Sequence, residues 1–130
     1  MPLHLLDTNV CVALLRGRAP ASRLPASRDC GLSAITVAEL FYGAQKSQRV
    51  EEQVRVVQNF TELFAHLPFE QNAAQHYGEL RAALEKKGTP IGPLDQLIAA
   101  HARSLDAALI TANAREFQRV PGLKCVAWKT

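Results

Sequence analysis

Short apolar runs alternate along the chain with longer segments whose apolar residues recur at helical spacing. Residues 3–6 read as a strand, stopped by Asp7-Thr8-Asn9, whose side chains favour caps and turns. Residues 10–15 then read as a short helix before Arg16-Gly17-Arg18, and 21–28 as a second helical piece broken or delayed by Pro25. A second strand is expected at 31–35. Thr36 is expected to cap a helix from Val37, which puts Glu39 at capping-box spacing. Between 48 and 65, Val50, Val54, Val57, Phe60, Leu63 and Phe64 follow a near-helical period. A third strand at 66–69 precedes a helix over 71–87 with a stripe of Ala74, Tyr77, Leu80 and Leu84. Gly88-Thr89-Pro90-Ile91-Gly92-Pro93 forms a rigid connection into a helix over 94–105. A fourth strand at 108–111, a polar turn around Asn113 and Arg115, and an edge strand at 124–127 complete the pattern.

Strands that alternate with helices predict an α/β domain. Its sheet should be mainly parallel, with four to five strands covered on both faces by right-handed crossovers. At 130 residues the chain reads as one domain spanning 1–130. Apolar content is 48% but aromatic content only 6%, so the core is expected to be aliphatic and alanine-rich. There is no internal repeat or low-complexity tract.

The formal charge of +3 permits a polyanionic partner without demanding one, because binding depends on where the charges lie. Several basic residues follow acidic segments closely, and an acidic metal centre rimmed by cations is what a nuclease needs. Cys11, Cys30 and Cys125 are odd in number and form no CxxC pair. Free thiols in a reducing compartment fit them better than disulfides or a zinc site. The N-terminus has no charged leader and 10–15 is too short to cross a bilayer, so the expected location is cytoplasmic, with no membrane partner.

Carboxylates change the picture. Asp7, Glu39 and Asp95 each sit among apolar neighbours, with no lysine or arginine beside them, and Glu116 lies just beyond Thr111 and Asn113. An ionised carboxylate in such surroundings costs several kcal/mol without positive compensation. A divalent ion bound by clustered acids would provide it and would point to phosphodiester chemistry. In an open parallel sheet, sites form beyond the carboxyl ends of the strands. The predicted topology brings Asp7, Thr111 and Asn113 to that rim, together with Glu39 and Asp95 from the first turns of two helices. Each acid also has a purely structural alternative. Asp7 fits a turn, Glu39 a capping box, Asp95 a helix N-terminus, and Glu116 a solvated surface.

Other chemistries find less support. His4, His66, His76 and His101 form no metal-ligand motif, and there is no GxSxG, GxxxxGK[ST] or GxGxxG sequence. A phosphoacceptor receiver domain is one alternative, although Glu70 rather than an aspartate follows the third strand. A non-catalytic nucleic-acid or protein-binding domain whose acids are caps is the other.

The stretches Leu6-Asp7-Thr8-Asn9, Leu32-Ser33-Ala34-Ile35-Thr36-Val37-Ala38-Glu39-Leu40 with Gly43, the run from Thr89 through Pro93-Leu94-Asp95-Gln96 to Ala102, and the run from Leu109 to Leu123 resemble the PIN-domain toxins of the VapC type. The resemblance implies a PIN-like three-layer α/β/α fold and a Mg2+- or Mn2+-dependent endoribonuclease, the toxin of a toxin–antitoxin pair. By motif, Asp7, Glu39 and Asp95 take the metal positions, while Thr8, Asn9 and Thr111 orient the site. Asn113 stands where many PIN domains have an aspartate, and Glu116 could supply the missing charge through water. The implied partners are a cognate VapB-type antitoxin, operator DNA contacted indirectly through that antitoxin, RNA, and a second copy in a homodimer. The Gly-Thr-Pro-Ile-Gly-Pro run resembles the subgroup that cuts initiator tRNA in the anticodon loop, a target that varies within the family. The resemblance also implies an antitoxin groove near Leu40-Phe41-Tyr42-Gly43-Ala44 and the apolar residues between 54 and 64.

Overall fold

A computed structural model describes residues 4–129. Leu3, the first residue of the expected first strand, lies outside that range. The five strands are β1 (His4–Leu6), β2 (Cys30–Ser33), β3 (Ala65–Leu67), β4 (Ala108–Thr111) and β5 (Lys124–Ala127), and they lie in the order β3-β2-β1-β4-β5. Every strand pairing is parallel. The helices are α1 (Thr8–Leu15), α2 (Ala34–Gln45), α3 (Val50–Thr61), α4 (Gln71–Lys87), α5 (Pro93–Ser104) and the single-turn α6 (Ala114–Phe117). The expected α/β/α architecture is therefore present, with the upper of the two expected strand counts.

Strand alternation separates two cores. Leu5 and Leu109 face Leu80, Leu84, Ile98 and Phe117 from α4, α5 and α6. Their neighbours Leu6 and Ile110 face Val10, Leu40 and Val57 from α1, α2 and α3. Both faces of the central strands are thus covered, which is why β1 and β4 carry apolar residues on both sides rather than an apolar–polar alternation. All three cysteines are free, as expected. No helix of the described residues is long and apolar enough to cross a membrane.

Several local expectations need correction. In place of one helical piece over 21–28 there are two separate 3-10 turns, Ala21–Arg23 and Ser27–Asp29, on either side of Pro25. In α4 the buried alanine is Ala73, while Ala74 faces solvent. The turn near Asn113 contains α6.

The start of α2 differs most. Ser33, not Thr36, is the N-cap, and its Oγ accepts from the Ile35 N–H at 3.1 Å. Strand β2 ends correspondingly at Ser33 instead of running to 35. Thr36 lies within the first turn, fully buried, with its hydroxyl directed at the Leu6 carbonyl oxygen at 3.5 Å. A second buried partner holds the true cap, because His101 Nδ1 on α5 lies 2.7 Å from Ser33 Oγ. Burial pushes His101 below its ordinary value, with a backbone hydrogen bond at Pro68 opposing. A neutral ring can accept the serine proton while the serine oxygen accepts from Ile35. The histidine is a satisfied structural one, and it joins α5 to the start of α2.

Ser33→Ala removes the cap acceptor and leaves the buried His101 nitrogen unpartnered. The expected loss is about 2 kcal/mol of stability. It should appear as a lower urea midpoint with an unchanged slope, whereas an unchanged midpoint would show that the cap contributes nothing.

Candidate active site

The chain order moves outward from β1 to β2 and β3, then returns to the opposite side of β1 for β4. The carboxyl ends of β1 and β4 therefore form the topological switch point where open α/β sheets place their sites. Asp7 leaves β1 there. Its N–H donates to the Ile110 carbonyl at 2.9 Å, so the first residue beyond the strand is still held by the neighbouring strand. As N-cap of α1, its Oδ1 accepts from the Thr8 N–H at 2.8 Å. Its Oδ2 accepts from the Thr111 hydroxyl at 2.7 Å, and the residue as a whole is 2% exposed.

The other two acids arrive on helices. Because α2 begins at Ala34, Glu39 falls in its second turn, outside capping-box reach of Thr36. Its Oε1 instead accepts from the Thr8 hydroxyl at 2.7 Å. Asp95 lies in the first turn of α5, after the Gly92 cap and Pro93 at the first helical position. A Cβ built on Gly92 would stand 3.4 Å from Asp95 Oδ2, so the glycine leaves room for that carboxylate over the helix start.

Asp7, Thr8, Asn9, Glu39 and Asp95 line one cavity of about 380 Å3 with Val12 and Arg18. Arg18 sits on its wall although it was legible in the sequence only as one basic residue among many. The signal is local. Gly17 adopts φ +67° after α1, its N–H donates to Leu14 O, and the Arg18 N–H donates to Ala13 O at 2.9 Å. This paired closure of a helix end turns the chain back on itself, and a glycine takes the left-handed conformation without steric penalty. Helix α1 thus delivers Asp7 at its start and Arg18 just past its end to one cavity.

Asn9 braces the cavity that it lines, and the remaining candidates stand behind or beside it. Thr111 supports Asp7 from below, and its Oγ1 accepts from the Asn113 N–H at 2.9 Å. Asn9 Oδ1 accepts from the Ala112 N–H at 3.2 Å, which ties α1 to the loop after β4. Asn113 and Glu116 form a separate pair outside the cavity lining. The Asn113 amide donates to Glu116 Oε2 at 2.6 Å, and Glu116 Oε1 accepts from the Gly92 N–H at 3.4 Å. Glu116 therefore holds the cap of the helix that carries Asp95.

Electrostatics couple these groups. Burial, and then the charges of Asp7, Glu116 and Glu39, push Asp95 from 3.8 up to about 6. Asp7 is raised chiefly by burial. Hydrogen bonds from Thr111 and Thr8 oppose that rise, and the Glu39 charge adds to it. Among the described residues, no three His, Cys, Asp or Glu side chains form a closed cation cluster. The carboxylates face a shared cavity rather than a single point. Even so, hard oxygen donors whose charges repel one another fit a hard divalent ion such as Mg2+ or Mn2+.

A fully parallel α/β/α sheet with its candidate site at the switch point defines the class of open α/β domain. The PIN domain family model matches residues 4–123. The chain belongs to the PIN-domain family and is closely related to the VapC toxins. It is 42% identical to the tRNA(fMet)-specific endonuclease VapC of Salmonella typhimurium, over 95% of this chain and 96% of that protein. It superposes with TM-score 0.93 and 41% identity on a chain of DNA-bound VapBC from Salmonella typhimurium, covering 99% of this chain and 100% of that one. VapBC2 from Rickettsia felis, solved with a DNA fragment from its promoter, gives TM-score 0.90 and 36% identity over 97% and 98% of the two chains.

The raised Asp95 pKa has a definite sign in stability. Below 3.8 the carboxyl is neutral in both folded and unfolded chains; between 3.8 and about 6 only the unfolded chain ionises freely, and above that window the penalty is constant. In chelator, the Asp95→Asn protein should therefore gain melting temperature relative to the unsubstituted protein as pH climbs through this window, then hold a constant lead. Thermal melts across pH check this. A lead that does not vary with pH would remove the cost of ionising the buried Asp95 as its source.

Proposed function

We propose that the protein is a Mg2+- or Mn2+-dependent endoribonuclease toxin held inactive by a cognate VapB-type antitoxin. Its support is the convergence of Asp7, Glu39 and Asp95 on one cavity that also bears Arg18, in a fold shared with VapC relatives. Asp7 and Asp95 are the carboxylates that would hold the ion. When bound, such an ion neutralises charge on the phosphate and lowers the pKa of the attacking water. Glu39, aimed by the Thr8 hydroxyl, accepts the proton as water attacks phosphorus in line. Thr111 fixes the rotamer of Asp7, and Asn9 ties the start of α1 to the loop after β4. Arg18 holds non-bridging phosphate oxygens that the three acids alone would repel. Asn113 and Glu116 act on the site through the Gly92 cap and the field at Asp95. Water attack leaves a 5′-phosphate and a 3′-hydroxyl.

The proposed substrate is initiator tRNA, cut in its anticodon loop. It rests on the substrate named for the Salmonella relative and on the Gly88–Pro93 run leading to Asp95 in this chain. The proposed assembly is a toxin homodimer joined by antitoxin that contacts operator DNA, in line with the DNA-bound VapBC structures.

Asp7→Asn, Glu39→Gln and Asp95→Asn should each slow cleavage by about 100-fold or more, the scale of roughly 3 kcal/mol of transition-state stabilisation. Chelator should abolish cleavage, and added Mn2+ should restore it. Cleavage assays on total RNA with mapping of the product ends test all of this at once. Full activity in a folded Asp7→Asn protein sinks the assignment, and a cyclic phosphate end sinks the water mechanism.

Arg18→Ala should raise KM more than it lowers kcat. It should also flatten the dependence of log affinity on log salt by about 0.7, the value for one phosphate contact on single-stranded RNA. An unchanged salt slope would place Arg18 off the substrate.

A further inference from the structure

The acidic cavity does not end at its carboxylates. Thr8 and Glu39 also wall an adjoining recess of about 410 Å3, completed by Ile35, Ala38, Tyr42 and Leu94. Tyr42 is 65% exposed and Leu94 46% exposed, two of the few large apolar side chains facing solvent. Their positions are tied to the proposed chemistry. Tyr42 follows Glu39 by three residues on α2, and so shares its face of the helix, and Leu94 immediately precedes Asp95 on α5. The Lys46 ammonium lies 5.3 Å from the centroid of the Tyr42 ring. Among the described residues Lys46 makes no salt bridge.

From this placement we infer that the recess is a nucleobase subsite: the base next to the scissile phosphate stacks on Tyr42 against Leu94, and Lys46 meets the flanking phosphate. The inference rests on the nuclease reading and adds to it where the neighbouring nucleoside goes. A nucleotide is apolar on its base faces and anionic on its backbone. The recess offers an aromatic wall beside the carboxylate of Glu39, and Lys46 adds a cation over the Tyr42 ring. Single-stranded RNA is commonly bound this way, because each base presents a π-face and each linkage a charge. The recess shares Thr8 and Glu39 with the cavity that would hold the scissile phosphate, so a substrate bound there must lay a neighbouring nucleoside against it. That continuity, with the Lys46 cation beside the ring, favours RNA over the antitoxin tail that the family resemblance placed near Tyr42.

The test uses a short RNA spanning the mapped cut and two derivatives, each lacking the base on one side of the scissile phosphate. KM and kcat are measured for the unsubstituted protein and for Tyr42→Ala, Tyr42→Leu and Tyr42→Phe. Binding of the same RNAs to an Asp95→Asn protein, with and without Tyr42→Ala, is followed by fluorescence anisotropy. Tyr42→Ala and Tyr42→Leu should weaken binding and raise KM by about tenfold to a hundredfold, while Tyr42→Phe retains most of the affinity. Removal of one of the two flanking bases should cost the unsubstituted protein a similar factor. The same removal should cost the Tyr42→Ala protein almost nothing further, the non-additivity expected of groups in direct contact. Independent losses, or an unchanged KM in Tyr42→Ala, overturn the subsite. So does a Tyr42→Ala protein that cleaves normally but escapes antitoxin inhibition, which assigns the recess to the antitoxin. If the unsubstituted protein leaves RNA intact with Mn2+ present, the nuclease reading itself fails, a result distinct from the others.

Discussion

The buried carboxylate of Asp7 is the constraint on which the site depends. At 2% exposure an unpaired charge would cost several kcal/mol, so its partners are part of the fold rather than decoration. The Thr8 N–H and the Thr111 hydroxyl occupy its two oxygens. Both become available only because β1 and β4 are adjacent and α1 starts where β1 stops. Crossing over to β4 on the far side of β1 thus does two things at once. It completes the core on both faces of β1, and it supplies the hydroxyl that allows an acid to stay at the strand end.

A similar dependence reaches Glu39 and Asp95. Ser33 starts α2 with His101 of α5 against its hydroxyl, and Glu116 accepts from the cap of α5. The helices bearing the two acids are therefore fixed to each other and to the loop after β4 through hydrogen bonds behind the cavity. Rigid support matters because the carboxylates repel. Asp95 is driven to about 6 by burial and by its acidic neighbours, a state that relaxed helices would relieve by moving apart. Tight packing around Leu80, Ile98 and Phe117 opposes that relaxation.

Periodicity made the scaffold legible in the sequence. The helix over 71–87 and the strands at 108–111 and 124–127 occupy the expected residues. Their boundaries coincide with strong local signals, such as Gly88 at φ +69° closing α4. Asp7, Glu39 and Asp95 were legible because carboxylates in apolar runs conflict with simple burial, and the structure brings all three to one cavity. The start of α2 was not. Ser33 and Thr36 have equivalent capping chemistry, and the choice between them is made by a histidine 68 residues away. Ala73 and Ala74 differ only in phase, which one helix's small residues leave undetermined. Arg18 could be placed only by following the backbone through the Gly17 turn, a three-dimensional consequence of a two-residue signal.

The geometry also separates two tasks that a nuclease site must combine. Carboxylates suited to a hard cation repel the phosphate on which they are proposed to act, so substrate affinity must come from elsewhere. In this chain the cation Arg18 stands on one wall of the acidic cavity, and the exposed ring of Tyr42 with Lys46 lies beyond Glu39 on another side. None of these three has a hydrogen bond in the network that holds Asp7 and Glu39. Under the proposed function, chemistry is built on side chains fixed at the strand ends and helix starts, while recognition is left to side chains free to adjust. That division explains how α1 and α2 can serve both, each presenting an acid from its locked face and a recognition group from where the chain meets solvent.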